Sequence, residues 1–232
     1  LFSGAHSNGK AHNKERERAA KIEQYVKRFY ETSPEGERER LHYDLHTAIR
    51  DSKREKFAVY PFTHGKPYNK HQLQFLLACG VDTVLLNQAP TTTFSYFSVN
   101  EFNAHAFTVE LGKVRPFGEN DRSKFAAAEQ TLRRLISEDS LDFGSFEPNK
   151  HFIFKEAQTI NRMNEDFELN FADDVANFTS FDKGDLLARD GDENLYAQHD
   201  GEHIIFPNAK VALGQRALLT VVRVPTESLE LE

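Results

Sequence analysis

Tryptophan is absent from the 232 residues, and cysteine and methionine occur once each. With Cys79 as the only thiol, no internal disulfide can form, which fits a reducing compartment and points to a cytoplasmic location. Cys79 closes the apolar run Leu76-Leu77-Ala78 and reads as the buried end of a helix, a poor position for a nucleophile. No apolar run approaches the ~18 residues of a membrane helix. An excess of positive charge is missing too. Against 36 Asp and Glu stand 29 Lys and Arg, and the net charge of −7 argues against general nucleic-acid binding. A local basic pocket for a small acid is still compatible with that balance. What is present is ordinary for a globular protein, 39% hydrophobic and 28% charged residues, and the length suffices for one large domain or two small ones.

Alternation marks the first candidate site. In Leu41-His42-Tyr43-Asp44-Leu45-His46 apolar and polar residues follow the period of a β-strand. Residues two apart on a strand share a face, so Asp44 and His46 point the same way near the strand's end. An imidazole there can ligate a metal while a neighbouring carboxylate orients the ring; a histidine satisfied by the backbone is the alternative. A second strand ends in Phe107-Thr108-Val109-Glu110. A carboxylate beyond a buried strand can act as a general base toward an activated water, or as an ordinary salt-bridge partner.

Taken in order, the chain starts with a polar stretch, Gly4 to Asn13, whose His6 and His12 read as exposed. A helix is predicted from about Lys14 to Tyr30, with Ile22, Tyr25, Val26 and Phe29 as its apolar stripe. Phe57 to Tyr60 is a short strand, Lys70 to Cys79 a helix stopped by Gly80, and Thr83 to Leu86 a strand buried on both faces. Gln88 to Ser98 reads as a hydroxyl-rich loop leaving the same sheet edge as His46 and Glu110. On that reading Thr91, Thr92, Thr93 and Tyr96 are candidate substrate contacts; a polar surface loop with Phe94 and Phe97 buried is the alternative. A helix capped by Asn120 or Asp121 runs through Ser137, and Ser140 to Asn149 reads as a linker.

From residue 150 the pattern changes to short strands separated by turn residues, a small all-β domain ending near 224. Phe181-Asp182-Lys183-Gly184-Asp185-Leu186-Leu187-Ala188 resembles the strand-turn of a lipoyl-type barrel sandwich, without the hairpin that carries a prosthetic group. Asp190, Asp192 and Glu193 miss the calcium-loop spacing and read as a charged hairpin tip. Glu227 to Glu232 is expected to fray.

Together, Asp44-Leu45-His46-Thr47-Ala48-Ile49-Arg50 and Val109-Glu110-Leu111-Gly112-Lys113-Val114-Arg115-Pro116-Phe117-Gly118 resemble the aspartoacylase/succinylglutamate desuccinylase family of zinc hydrolases. The likeness runs from Leu1 to about Val224. It implies an α/β fold, with part of a zinc-carboxypeptidase-like mixed sheet and flanking helices at 1–149, the all-β barrel-like domain at 150–224 and a tail at 225–232. It also implies one Zn2+ per subunit, His46 as a metal ligand and Glu110 as the catalytic residue. The family's other two ligands lie in a Gly-x-His-Gly-x-Glu motif, which does not occur here, and a substrate-binding Asn-Arg pair precedes a segment like Leu1-Phe2-Ser3-Gly4. The chain opens on Leu1 without an initiator Met, so it is expected to be the C-terminal part of a longer enzyme, with two further ligands upstream of Leu1.

The implied activity is hydrolysis of N-succinyl-L-glutamate to succinate and L-glutamate, the last step of arginine catabolism by the succinyltransferase route. Zinc would lower the pKa of water to near ~7, and Glu110 would take the proton and pass it to the leaving nitrogen. A substrate with several carboxylates calls for cations, and guanidinium groups fit carboxylates best. Arg50, Lys113 and Arg115 are therefore further candidate contacts. Two other readings stay open, a sibling aspartoacylase- or carboxypeptidase-type amidohydrolase and a non-catalytic binding module on the same scaffold. The expected partner is a small dicarboxylate-type amide, with no nucleic acid and no membrane.

Overall fold

Two four-residue strands, β2 (Phe57–Tyr60) and β3 (Thr83–Leu86), are buried along their whole length and occupy the middle of the sheet. The computed structural model describes residues 13–34 and 36–232, so the expectations for His6 and His12 lie outside the described residues. Around this pair is built an eight-stranded mixed sheet. Its other strands are β1 (Leu41–Ala48), β4 (His105–Lys113), β5 (Phe152–Asn161), β7 (Thr179–Phe181), β10 (Glu202–Ile205) and β11 (Arg216–Val224). The order is β1-β4-β2-β3-β5-β11-β10-β7. The remaining strands, β6 (Glu168–Leu169), β8 (Leu186–Asp190) and β9 (Glu193–Tyr196), form a small antiparallel sheet. The mixed α/β sheet with helices and the small antiparallel β part agree with the architecture expected from the sequence.

Alternation along the strands sorts side chains onto two faces. Ala58, Tyr60, Val84, Leu86, Phe107 and Val109 pack against α2 (Lys70–Ala78) and α4 (Ala126–Ser137). Phe57, Val59, Leu85, Phe154 and Leu219 form the opposite face with Phe178 and Ile205. On that second face α3 (Phe94–Phe102) lies over β1 and β4. Cys79 is buried at the end of α2, and burial pushes its thiol pKa up to about 12.

Four local expectations are corrected. Helix α1 (Lys14–Tyr30) forms where predicted, but its buried residues are Ala19, Glu23 and Tyr30. Tyr25 and Phe29 of the predicted stripe are 65% and 70% exposed, because the helix is rotated to set Tyr30 against Phe102. Phe94 to Ser98 belongs to a helix instead of a loop; Thr93 caps it and Asn103 ends it in the left-handed conformation. The loop before it also leaves the sheet from an unexpected end. β2 runs antiparallel to β4 and parallel to β3, so the end of β3 lies at the start of β4, away from Glu110. Finally, the last residues do not fray. Glu230 and Glu232 exchange backbone hydrogen bonds with Tyr68 and Lys70 at 2.8–3.0 Å, and Leu229 enters the core beside α2.

Candidate active site

β1 and β4 are parallel and in register through His46 and Glu110, which places the two side chains on one face as neighbours. The register then slips, and Ala48 pairs with Lys113. Gly112 supplies the positive φ of +124° at this irregularity, a backbone that other residues rarely adopt. Asp44, two residues before His46 on the same face, sets its Oδ2 3.2 Å from His46 Nε2. The other ring nitrogen, Nδ1, stands 4.0 Å from Glu110 Oε1. Asp44 thus steadies the ring from one side and leaves Nδ1 directed at the second carboxylate.

Glu110 is 6% exposed, and its Oε2 is buried with no hydrogen-bond partner among the described residues. Burial raises its pKa above the usual glutamate value, His46 opposes that rise and Asp44 adds to it. A carboxyl group held this way favours its protonated form more than a surface glutamate does. Further back on the same face, His42 Nδ1 lies 2.7 Å from Ser98 Oγ of α3, and Ser95 Oγ lies 2.9 Å from Thr108 Oγ1. These two contacts fasten α3 to the strands that carry the site.

The predicted contact residues divide into separate groups. Thr91, Thr92 and Thr93 line a cavity of about 770 Å3 together with Glu110. Although their loop leaves the far end of the sheet, it folds back over the sheet face to reach it. Tyr96 turns away: its ring is buried and its hydroxyl meets His64 Nε2 at 3.0 Å and Asn100 Oδ1 at 3.3 Å. Lys113 and Arg115 line a different cavity of about 610 Å3, where Lys113 pairs with Asp51 at 2.6 Å. Arg50 lines neither; its guanidinium donates to the carbonyls of Val175 and Pro207 at 3.0 Å each, and to Asp173 O.

Among the described residues, no group of three or more His, Cys, Asp and Glu is placed to hold a metal ion. His46 and Glu110 fit one corner of such a site: an imidazole nitrogen and a buried carboxylate oxygen 4.0 Å apart. The looser spacing His-x-x-Glu occurs twice in the chain, at His12/Glu15 and His199/Glu202. Glu202 is buried and engaged, accepting from Gln158 and from the backbone N–H groups of Gln198 and His199. It closes a turn and offers a metal nothing.

The match to known families is extensive. Residues 1–136 match the succinylglutamate desuccinylase/aspartoacylase catalytic domain, more than half of the chain. The chain belongs to this family. Residues 149–224 match the family's barrel-sandwich hybrid domain. A succinylglutamate desuccinylase of Idiomarina loihiensis is 81% identical over 231 residues, covering 100% of this chain and 67% of that protein. One of Pseudoalteromonas atlantica is 54% identical over 224 residues, covering 96% and 64%. The crystal structure of succinylglutamate desuccinylase from Vibrio cholerae superimposes with a TM-score of 0.85 at 37% identity, covering 97% of this chain and 64% of that one. The Chromobacterium violaceum structure gives 0.81 at 41%, covering 97% and 66%. The chain thus spans about two thirds of the length of the family members it matches.

Reading the sequence missed two residues that line the Glu110 cavity with the threonines, Phe206 and Arg216. Both come from the region after residue 150, where a strand-turn pattern carries no chemical signature. The one available signal was an arginine two residues after Gly214 at the start of a strand, and that is too common to single out.

Proposed function

We propose that this protein is an amidohydrolase that cleaves N-succinyl-L-glutamate to succinate and L-glutamate, with Glu110 as the group that moves the proton. The observation that carries the reading is the Glu110 carboxyl group: buried, one oxygen free, on a cavity wall and 4.0 Å from His46. The 81% identity to the Idiomarina loihiensis enzyme supports the choice of substrate. His46 is assigned as one ligand of a zinc ion, held in orientation by Asp44. Zinc, when bound, polarises the amide carbonyl and makes water a better nucleophile at neutral pH.

The chain's own residues then have distinct tasks. Glu110 accepts the proton of the attacking water and returns it to the glutamate nitrogen as the C–N bond breaks. Its partly desolvated setting favours this exchange, because a carboxyl group with a raised pKa holds and releases a proton more evenly near neutral pH. Thr91, Thr92 and Thr93 offer hydroxyls along the cavity for the polar arms of the substrate. We place the protein in the cytoplasm, in keeping with the lone, buried Cys79. No helix among the described residues is long and apolar enough to cross a membrane.

Glu110→Gln in the full-length protein is the decisive variant. It keeps the shape of the side chain and removes the proton acceptor, so kcat should fall about 10²–10⁴-fold with zinc content unchanged. Normal turnover at normal zinc content would refute the assignment. Activity on N-acetylaspartate in preference to N-succinylglutamate would move the protein to a sibling specificity.

A further inference from the structure

We propose that Arg216 is the anchor for one substrate carboxylate, which makes the C-terminal β-rich region part of the specificity apparatus. This inference rests on the amidohydrolase reading for its ligand class, a small amide bearing more than one carboxylate. Such a ligand needs at least one cation near the reacting group, because a carboxylate taken from water without a partner is strongly disfavoured. Among the described residues lining the Glu110 cavity, Arg216 is the one cationic side chain. Of the three cations favoured by sequence, Arg50 is engaged on backbone carbonyls, Lys113 on Asp51, and Arg115 lines the other cavity.

Arg216 itself has no hydrogen bond or ion pair from its guanidinium among the described residues. Glu156 acts on it electrostatically from beyond ion-pair range, while the Glu156 carboxylate accepts from Thr159. What positions the guanidinium is an aromatic ring. Its Cζ lies 5.9 Å from the centre of the Phe206 ring, which lines the same cavity. A guanidinium resting on a ring keeps its donor edge free and its plane oriented, which suits two-point binding of a carboxylate.

The ring is held there at a cost in backbone energy. Phe206 adopts φ +51°, the left-handed region that bulky residues avoid. Its N–H donates to Asn177 Oδ1 at 2.8 Å, and Asn177 is fully buried. Phe178, next in the chain, is also left-handed at φ +61° and packs edge-on against Phe57 at 5.1 Å. Two strained aromatic residues on one buried asparagine are a construction, and strain of this kind gathers where a side chain must be aimed. Here the aimed ring carries the arginine, and both line the cavity that Thr91 to Thr93 also line.

The test uses the full-length, zinc-loaded protein and Arg216→Gln, with Arg216→Lys as the conservative control. Calorimetry would measure binding of N-succinylglutamate and of three analogues, each with one carboxylate replaced by a carboxamide. Arg216→Gln should weaken N-succinylglutamate about 10- to 100-fold, the loss appearing in KM, with Arg216→Lys intermediate and melting temperatures within a few degrees. It should also erase discrimination against one analogue and leave the other two as in the wild type. Unchanged affinity, or an equal loss toward all four ligands, would overturn the anchor while hydrolysis by the wild type left the amidohydrolase reading standing. Binding without hydrolysis by the wild type, still lost in Arg216→Gln, would uphold the anchor and sink the catalytic reading. A wild type that binds none of the four would overturn both.

Discussion

Buried ionisable side chains in this protein divide by whether the fold has given them partners. Asp190 and Glu202 are nearly inaccessible, yet each accepts two backbone N–H groups: Asp190 from Met163 and Asn164, Glu202 from Gln198 and His199. They fasten turns, and the calcium alternative for Asp190 loses its appeal because both oxygens are taken. His151 is the contrary case. It is 2% exposed, stacks on Phe146 at 5.0 Å, and neither ring nitrogen has a partner among the described residues. Burial lowers its pKa, with Asp82 pulling the other way; Arg134, Asp142, Glu147 and Lys150 line the adjoining cavity. The unfolded chain therefore takes up a proton near the ordinary histidine value of ~6.5 that the folded chain still refuses. Stability is complete above that pH and is lost as the pH falls through and below it. His42 and His203 shift in the same direction, by burial, and add to the slope. Thermal melts between pH 8 and 5.5 should show a falling melting temperature, and His151→Phe should remove part of the fall while keeping the stacking.

At the scale of elements, α3 shows how a short helix can be overlooked and still organise a site. The threonines and Pro90 before it are turn formers, and its nine residues carry three phenylalanines and a tyrosine but little of the usual helix-forming composition. Its signals were the cap at Thr93, which accepts the Tyr96 N–H at 3.2 Å, and the stop at Asn103. Thr93 also lines the Glu110 cavity, so one residue both starts the helix and faces the site. Thr93→Ala should lower stability by about 1 kcal/mol, while Thr93→Ser should stay near wild type. Urea titrations of both variants, with Thr92→Ala as a neutral neighbour, would measure the difference. Equal stability in all three would mean that α3 is held by its packing on β1 and β4 alone.

For the whole molecule, the main consequence of the topology is continuity between the two parts of the chain. β5 pairs in parallel with β3, Thr83 opposite Phe152, and β11, β10 and β7 extend the sheet from there. Residues 51–53 are stitched to Asn177 by backbone bonds of 2.8–2.9 Å, and Arg50 clamps the same loop. Phe57 from the first part and Phe178 from the second share one core. We propose on this basis that residues 150–224 do not open independently of the α/β part. Hydrogen exchange on the full-length protein should give β3, β5 and β11 amides a common opening free energy. Phe57→Ala, removing a fully buried ring, should lower all three by about 3–5 kcal/mol. Protection that drops in β2 and β3 but not in β11 would show two separate units.

Much of this was legible in the residues themselves. Alternation at Leu41 to His46 and the apolar run before Glu110 determine strands and faces, since side-chain direction follows from the local backbone. The Gly80 stop is local in the same sense, and so is the Asp121 cap, although it caps the 3-10 turn Arg122–Phe125 that leads into α4 instead of α4 itself. Tertiary structure alone decided the rest. Alternation says which residues share a face but not which strand is the neighbour or in which direction it runs, and so the Thr91 loop was assigned to the wrong end of the sheet. An arginine's charge is plain from sequence, but whether it is free depends on carbonyls more than a hundred residues away. Arg50 meets Val175 and Pro207, whereas Arg216 lies over the ring of Phe206 with no hydrogen bond or ion pair from its guanidinium among the described residues. Those distances are closed by the sheet, and no local pattern encodes them.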